Sequence, residues 1–147
     1  EHPFPARFVR HYNTMLIEPS IYLPAMMADF YTAGGHIEVR EFNHRNELLG
    51  LPEPVIINCT GLGARDLFND RELLPIKGQL TFILPQSEVD YLILGNRGLY
   101  MFPRRDGILL GGTFERNEWS LTPDPMATRR ILDGHRAFFS AMTDPWS

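Results

Sequence analysis

Apolar residues recur every three or four positions in the stretch that ends at Ala33. The recurring residues are Leu23, Met26, Met27 and Phe30. This spacing predicts a helix from Ile21 to Ala33, with Pro24 in its first turn and Gly34-Gly35 supplying the left-handed residue at which helices commonly end. Residues 1 to 20 before it are rich in proline and show no period, which indicates a loop.

The period then changes from helix-like to strand-like. Apolar and polar residues alternate from His36 to Phe42, which predicts a half-buried strand. After the turn-rich stretch 43–54, the apolar run Val55-Ile56-Ile57 predicts a buried strand. Small residues and a hydroxyl follow directly, from Asn58 to Ala64. Because ligands of α/β sheets bind outside the carboxyl ends of strands, this loop is a candidate ligand site.

Short strands separated by turns dominate the sequence after Pro75. The predicted strands are Gln79 to Leu84, Tyr91 to Leu94, Leu99 to Phe102 and Ile108 to Gly112. Asp106-Gly107 is a hairpin signal, so these strands predict an antiparallel sheet. We interpret Arg104 and Arg105, which stand beside that signal, as solvated turn residues.

A last helix is predicted after residues 122–125, where a threonine and an aspartate beside prolines offer capping chemistry. One face of this helix would carry Ile131, His135, Phe138, Phe139 and Met142. Helices combined with an antiparallel sheet place the fold in the α/β class, of the α+β kind.

Composition narrows the functional classes. The 147 residues hold 14 basic and 18 acidic side chains, a net charge of -4 without a long block of either sign, so nucleic acid and membrane are not expected partners. The single Cys59 excludes an intrachain disulfide and favours a reducing, cytoplasmic location, and no spacing indicates a metal site. No apolar run approaches the roughly 18 residues that cross a bilayer. The start, Glu1 to Pro5, has neither an initiator methionine nor a signal-peptide pattern, so targeting stays open.

Three stretches in a fixed order resemble one family. They are Val55-Ile56-Ile57-Asn58-Cys59-Thr60-Gly61, then Lys77-Gly78-Gln79, then Tyr100-Met101-Phe102-Pro103 followed by Leu110-Gly111-Gly112-Thr113 and Trp119-Ser120. Their order and spacing, over roughly residues 15 to 140, resemble the D-amino acid oxidase family of FAD-dependent oxidases.

The resemblance implies which residues meet the cofactor and the substrate. Thr60 and Gly61 would contact FAD, and Phe42 would do so through its backbone. Tyr100 would donate a hydrogen bond from its hydroxyl to the substrate carboxylate, while its ring forms an apolar wall. Phe102 stands two residues further along the strand, hence on the same face, and would line the same pocket. The resemblance gives no residue of this chain a catalytic or metal-binding role.

The implied enzyme oxidises the carbon–nitrogen bond of an amino acid by hydride transfer to FAD, with oxygen as the electron acceptor. Residues 1–76 would form part of an FAD-binding domain, and residues 77–147 part of a substrate-binding domain with a covering helix. The family's Gly-x-Gly-x-x-Gly turn does not occur in the sequence, and its carboxylate-binding arginine is expected after Ser147. We therefore predict that this polypeptide alone is inactive.

Two alternatives stay open at this point. The parent enzyme could be a glycine or sarcosine oxidase, or a dehydrogenase of the same family, because the substrate side chain and its stereochemistry depend on residues that the sequence does not locate. The chain could instead be a non-catalytic interaction module, forming a homo-oligomer through open sheet edges.

Overall fold

The computed structural model describes residues 2–142, which form two compact units. The first, here called the sheet unit, combines the residues up to Glu18 with Lys77–Glu115 and the residues from Trp119 onward. The second unit consists of Pro19–Ile76 and Arg116–Glu118. Helices and antiparallel sheets are both present, which confirms the predicted fold class. The predicted division into a cofactor domain and a substrate domain stays a prediction.

A four-stranded antiparallel sheet forms the body of the sheet unit. Its strands are β2 (Thr81–Ile83), β3 (Ile93–Leu94), β4 (Tyr100–Arg104) and β5 (Gly107–Gly111), in the spatial order β2-β5-β4-β3. Leu109 of β5 lies between Phe82 of β2 and Phe102 of β4. The antiparallel pairing is as predicted, although the strand ends differ from the predicted ones. Two shorter strands, β1 (Ile76–Lys77) and β6 (Glu115–Arg116), form a separate two-stranded sheet.

The predicted hairpin joins β4 to β5. Arg104 pairs with Gly107, so the loop consists of Arg105 and Asp106, and the glycine is the first residue of the returning strand. Gly107 has a φ of +148°, and a Cβ at this position would lie 2.9 Å from the carbonyl oxygen of Ile83. Both the backbone angle and the close approach therefore require glycine here.

Strand alternation gives this sheet two different faces. The covered face lies under helix α4 (Pro125–Phe138), and its core residues are at most 4% exposed. These core residues are Met101, Ile108 and Leu110 of the sheet and Ile131 of α4. The opposite side, here called the open face, carries Phe82, Leu94, Tyr100, Phe102 and Arg104, as the strand register shows. Phe82 and Leu94 are 52% and 74% exposed.

The N-terminal end of α4 is capped as the sequence predicts. The side chain of Asp124 accepts a hydrogen bond of 2.9 Å from the backbone N–H of Met126. Gln79 holds the same end, since its side-chain oxygen accepts from the Asp124 backbone N–H at 2.7 Å. Its amide group donates to the Asp124 carbonyl and to the Thr128 hydroxyl, each at 2.8 Å. The start of the helix is thus fixed to the chain just before β2.

The predicted face of α4 is correct for four of its five residues. Ile131 and His135 are buried, and Phe138 and Phe139 are half-buried. The helix ends at Phe138 with Phe139 as its C-cap, so Met142 lies beyond the helix and is 44% exposed. Including Met142 was therefore wrong, because the helical period was extended past the point where the backbone leaves the helix.

In the second unit, helix α1 (Pro19–Thr32) confirms the predicted helix and its stop. The N–H of Gly34 donates to the Tyr31 carbonyl at 3.0 Å, and the N–H of Gly35 donates to the Phe30 carbonyl at 2.9 Å. With Gly34 at a φ of +85°, these bonds form a Schellman ending. The helix begins at Pro19, before the predicted start, so Pro24 lies inside the helix and its predicted place in the first turn was wrong.

The two strands predicted for the second unit do not form. His36 to Phe42 and Val55 to Ile57 lie outside every paired strand, and Val55 and Ile57 are 75% and 81% exposed. A strand is stable only when a neighbour satisfies its backbone hydrogen bonds. Among residues 2–142, no strand lies beside either segment. Short helices occupy parts of the predicted loops instead, namely α2 (Arg45–Leu49), a 3-10 turn (Gly61–Gly63) and α3 (Ala64–Leu67).

Candidate functional site

The side chains of Tyr100 and Phe102 lie together on the open face. Both belong to β4, their ring centroids are 5.4 Å apart, and their ring planes are tilted by 51°. Both residues are half-buried, so the pair forms an aromatic surface that a small ligand can reach. The prediction that they share a face is confirmed, whereas their roles toward a substrate stay predictions.

Two glycines form a floor under the Tyr100 ring. Gly111 is its cross-strand partner, and a Cβ at Gly111 would collide with the ring carbon Cζ. A Cβ at Gly112 would lie 2.9 Å from the Tyr100 hydroxyl oxygen. The phenol therefore rests on bare backbone along its length, and a side chain at either position would displace it. This packing fixes where the hydroxyl lies.

Arg104 shares the open face with these aromatic rings. Its guanidinium donates to both carboxylate oxygens of Asp106 and lies 5.7 Å from the centroid of the Phe82 ring. Only 16% of its side chain is exposed, so the interpretation as a solvated turn residue was wrong for Arg104. It is confirmed for Arg105, whose side chain is 83% exposed beside Glu18. Because Asp106 already neutralises Arg104, this arginine is a poor candidate for a substrate carboxylate.

The candidate cofactor residues lie in loops of the second unit. The Thr60 hydroxyl donates to the side-chain oxygen of Asn58 at 2.8 Å, which leaves its own oxygen able to accept a further bond. Gly61 has a φ of +57°, and a Cβ there would meet no atom within 4 Å, so the space beside this backbone is open. Phe42 is half-buried, and the guanidinium of Arg40 lies 5.2 Å from its ring centroid. Thr60 and Phe42 thus contact Asn58 and Arg40 respectively.

His135 lies near the candidate site. The sequence pattern predicted its position on one face of the last helix but no functional role. It is 6% exposed, and its Nε2 lies 3.1 Å from the carbonyl oxygen of Tyr100. Its Nδ1 lies 2.8 Å from the carbonyl oxygen of Ile131. The available signal was a polar residue on an otherwise apolar helix face, since buried polar groups require a partner.

Residues 3–147 match the sequence profile of a family described as FAD dependent oxidoreductase. This chain is a member of the FAD-dependent oxidoreductase family. The resemblance to the D-amino acid oxidase family that its motifs indicate is thereby confirmed, and the family is one of FAD-dependent oxidoreductases.

Similar proteins bear oxidase names. A D-amino-acid oxidase of Streptomyces coelicolor is 35% identical over 121 residues, which cover 80% of this chain and 37% of the relative. A D-amino acid oxidase of Dugesia ryukyuensis is 31% identical over 135 residues, 90% of this chain and 40% of the relative. A D-aspartate oxidase of Homo sapiens is 31% identical over 126 residues, 85% of this chain and 36% of the relative. The chain thus spans 36% to 40% of the length of these relatives.

Set against the needs of the family's cofactor, FAD, the groups of the loop at Thr60 and Gly61 fit a contact with it. The loop at Thr60 and Gly61 offers a hydroxyl oxygen and open backbone, which suit ribose or phosphate oxygens. Across the described part of the chain, no three histidine, cysteine or acidic side chains are grouped as a metal site. No helix within residues 2–142 has both the length and the apolar character needed to span a membrane.

Proposed function

We propose that this chain supplies part of the substrate and cofactor contacts of an FAD-dependent oxidase of amino acids, with oxygen as the electron acceptor. The observation that carries the proposal is the Tyr100 phenol, fixed against Gly111 and Gly112 at the edge of a half-buried aromatic surface. The names of the relatives, D-amino-acid oxidase and D-aspartate oxidase, support the substrate class.

In this proposal, the hydroxyl of Tyr100 donates a hydrogen bond to a carboxylate oxygen of the amino acid. A bond to a charged partner is worth about 1.5–3 kcal/mol, more than a bond between neutral groups. Phe102 forms an apolar wall beside that bond and limits the access of water to it. Thr60, Gly61 and the backbone of Phe42 would hold FAD, which when bound would accept the hydride from the substrate α-carbon.

Carboxylate recognition is tested by ligand-observed NMR on the purified chain. D-alanine is compared with D-alaninol, in which an alcohol replaces the carboxylate. Tyr100→Phe is expected to weaken D-alanine binding by about tenfold or more, since it removes a bond to a charged group, and to leave D-alaninol binding unchanged. Tyr91→Phe, on a tyrosine outside the open face, is the matched control. An equal effect of Tyr100→Phe on both ligands would contradict the proposal.

The substrate class is sharpened by extending the same binding assay. D-aspartate and the L enantiomer of alanine are added to the panel, since the relatives include enzymes named for D-amino acids and for D-aspartate. Preferential binding of one D-amino acid would support the D-specific class. Glycine and sarcosine are included as well, and equal binding of both alanine enantiomers, or preference for glycine or sarcosine, would favour the alternative oxidases of the family.

The cofactor contact is tested by titrating FAD into the chain and following flavin fluorescence and absorbance. Thr60→Val removes the hydroxyl at nearly constant volume, and Gly61→Ala strains a left-handed backbone position. Both are expected to weaken FAD binding, whereas Gly50→Ala, at a φ of -85°, is the control. Unchanged FAD binding in both variants would remove these residues from the site. With FAD and D-alanine added, we expect no peroxide from this chain alone, and measurable peroxide would contradict that expectation.

The open face also supports a second candidate, self-association into a homo-oligomer. Phe82 and Leu94 lie on its outer strands and are 52% and 74% exposed. Exposed apolar side chains on edge strands promote pairing between copies. Sedimentation of the chain, compared with the double variant Phe82→Ser and Leu94→Ser, tests this candidate. A monomer at every concentration would exclude it.

A further inference from the structure

We propose that His135 is a positioning residue for Tyr100, acting on its backbone from the covered side of the sheet. This inference rests on the proposed function, in which the Tyr100 hydroxyl binds the substrate carboxylate. The sequence motifs that resemble the family do not include His135, and the polar contacts of its ring are with the backbone oxygens of Ile131 and Tyr100. Its influence on a ligand would therefore pass through Tyr100.

Helix α4 approaches the start of β4 closely at this point. Gly134 precedes His135, and a Cβ at Gly134 would lie 3.0 Å from Cδ2 of Leu99, the residue before Tyr100. One turn earlier, Ile131 is 1% exposed and packs in the core against Met101. The helix backbone beside His135 is thus closely packed against the sheet, and the histidine itself is 6% exposed.

The hydrogen-bond chemistry defines the direction of the contact. A carbonyl oxygen only accepts, so the 3.1 Å contact between Nε2 and the Tyr100 oxygen is a hydrogen bond only when Nε2 carries the proton. The other ring nitrogen lies 2.8 Å from the Ile131 oxygen, which also only accepts. The imidazolium would donate to both oxygens, the neutral Nε2–H tautomer to Tyr100 alone, and the neutral Nδ1–H tautomer to Ile131 alone. The positioning role therefore requires a proton on Nε2.

The start of β4 is a place where such support changes the position of a side chain. Strand β3, which pairs with this end of β4, has only two residues. The preceding 3-10 turn contains Arg97 and Gly98, at φ values of +57° and +76°, two successive left-handed residues. Tyr100 is the first residue of β4 after this turn, with Leu94 of β3 on one side and Gly111 of β5 on the other. The bond from His135 adds a fixed point at the one residue whose hydroxyl must meet the ligand.

In this inference, the position of the Tyr100 phenol is set by contacts on both faces of the sheet. On the open face, Gly111 and Gly112 set the plane of the Tyr100 ring. On the covered face, His135 sets the position of the Tyr100 backbone. A shift of either one moves the hydroxyl relative to the carboxylate, and hydrogen bonds weaken steeply when distance or angle departs from the optimum.

The test uses two substitutions that differ in where they place an amide donor. The amide nitrogen of His135→Gln occupies roughly the place of Nε2, whereas that of His135→Asn occupies roughly the place of Nδ1. His135→Gln is therefore expected to retain D-alanine affinity, and His135→Asn to weaken it about three- to tenfold, the loss expected for one misaligned hydrogen bond. Far-UV circular dichroism and the urea midpoint establish that both variants are folded.

Two spectroscopic measurements separate positioning from a general loss of structure. The imidazole ¹⁵N spectrum of the wild-type chain is expected to show a protonated Nε2 at His135. The aromatic signals of Tyr100, assigned by their absence in Tyr100→Phe, are expected to move in His135→Asn and to stay in place in His135→Gln. A bare Nε2, or Tyr100 signals that do not respond to His135→Asn, would overturn the inference.

Failure of this inference is distinguishable from failure of the proposed function. If Tyr100→Phe weakens D-alanine binding but His135→Asn does not, Tyr100 binds the ligand and the positioning role is wrong. If Tyr100→Phe has no effect while His135→Asn still moves the Tyr100 signals, the contact exists and the proposed ligand role of Tyr100 is wrong. Equal weakening by the Gln and Asn variants also overturns the positioning role, because the donor position would then not matter.

Discussion

The two faces of the four-stranded sheet are built from neighbouring residues of the same strands, yet they have different physical roles. On the covered face, Met101 and Leu110 are each 4% exposed beneath α4. On the open face, Tyr100 and Phe102 alternate with them along β4 and remain half-buried. Burial of the first set stabilises the fold, while incomplete burial of the second set leaves a surface for a ligand. Stability and binding are thus divided between the two sides of one strand.

The largest expected loss in the free energy of unfolding comes from a substitution on the covered face. Ile131→Ala should lower the free energy of unfolding by about 2–5 kcal/mol, because it leaves a cavity between α4 and the sheet. Phe82→Ala on the open face should change it by less than about 1 kcal/mol. Urea unfolding measures both values, and Ile131→Val, at a cost of about 0.5–1.5 kcal/mol, keeps the comparison possible if the alanine variant does not fold. Equal losses in the free energy of unfolding on the two faces would contradict the division of stability and binding between them.

Gly111→Ala should lower the free energy of unfolding and move the Tyr100 ring more than a substitution of an exposed open-face residue does. The added methyl would collide with the Tyr100 ring, so we expect a loss of about 1–3 kcal/mol and a displaced phenol. Gly50→Ala is the control, because its φ is -85° and a Cβ there would make only ordinary van der Waals contact, 3.5 Å from the Glu47 carbonyl oxygen. Unfolding curves and the Tyr100 aromatic signals are the measurements. A variant as stable as the wild type with unmoved Tyr100 signals would show that the floor does not set the ring position.

Gln79 tests how firmly the covering helix is attached. Gln79→Leu removes all three side-chain bonds to Asp124 and Thr128, and should cost about 1–3 kcal/mol because part-buried backbone groups lose their partners. Gln86→Leu changes an exposed glutamine and should be nearly neutral. Hydrogen exchange in the first turn of α4 should rise in the Gln79 variant alone. No change there would mean that capping by Asp124 is sufficient.

The smallest expected effect comes from the ion pair at the edge of the open face. Asp106→Asn weakens the pair with Arg104, and because the Asp106 side chain is 48% exposed we expect a loss below about 1 kcal/mol. The loss should shrink in high salt, since exposed charges are screened. Asp133→Asn, whose carboxylate pairs with two exposed arginines, gives the reference value. A loss well above that of the control would show that Arg104 orders the aromatic surface beside it.

Local signals in the sequence were sufficient where the partner of a residue lies nearby in the chain. The stop at Gly34-Gly35, the cap at Asp124 and the hairpin at Asp106-Gly107 all depend on bonds within a few residues, and all three predictions are correct. The alternation along β4 likewise placed Tyr100 and Phe102 on one face.

Predictions that required a distant partner were less successful. The strands at His36 to Phe42 and Val55 to Ile57 have suitable residues but no neighbouring strand within residues 2–142. Arg104 contacts the ring of Phe82 on another strand, and His135 contacts Tyr100, 35 positions away. Side-chain periodicity contains no information on such pairings, so these features could be found only in three dimensions.

The contact between Glu18 and Arg105 limits how early this part of the sheet unit can fold during synthesis. The backbone N–H of Arg105 donates to the carboxylate of Glu18, 87 positions earlier. The rings of Phe4 and Phe138 are stacked, with their centroids 5.3 Å apart. At about 5–20 residues per second, the ribosome adds Arg105 about 4–17 seconds after Glu18. Glu18 and Phe4 therefore emerge before the residues that they contact. During synthesis, these two contacts of the sheet unit can form only after the later partner of each has left the ribosome.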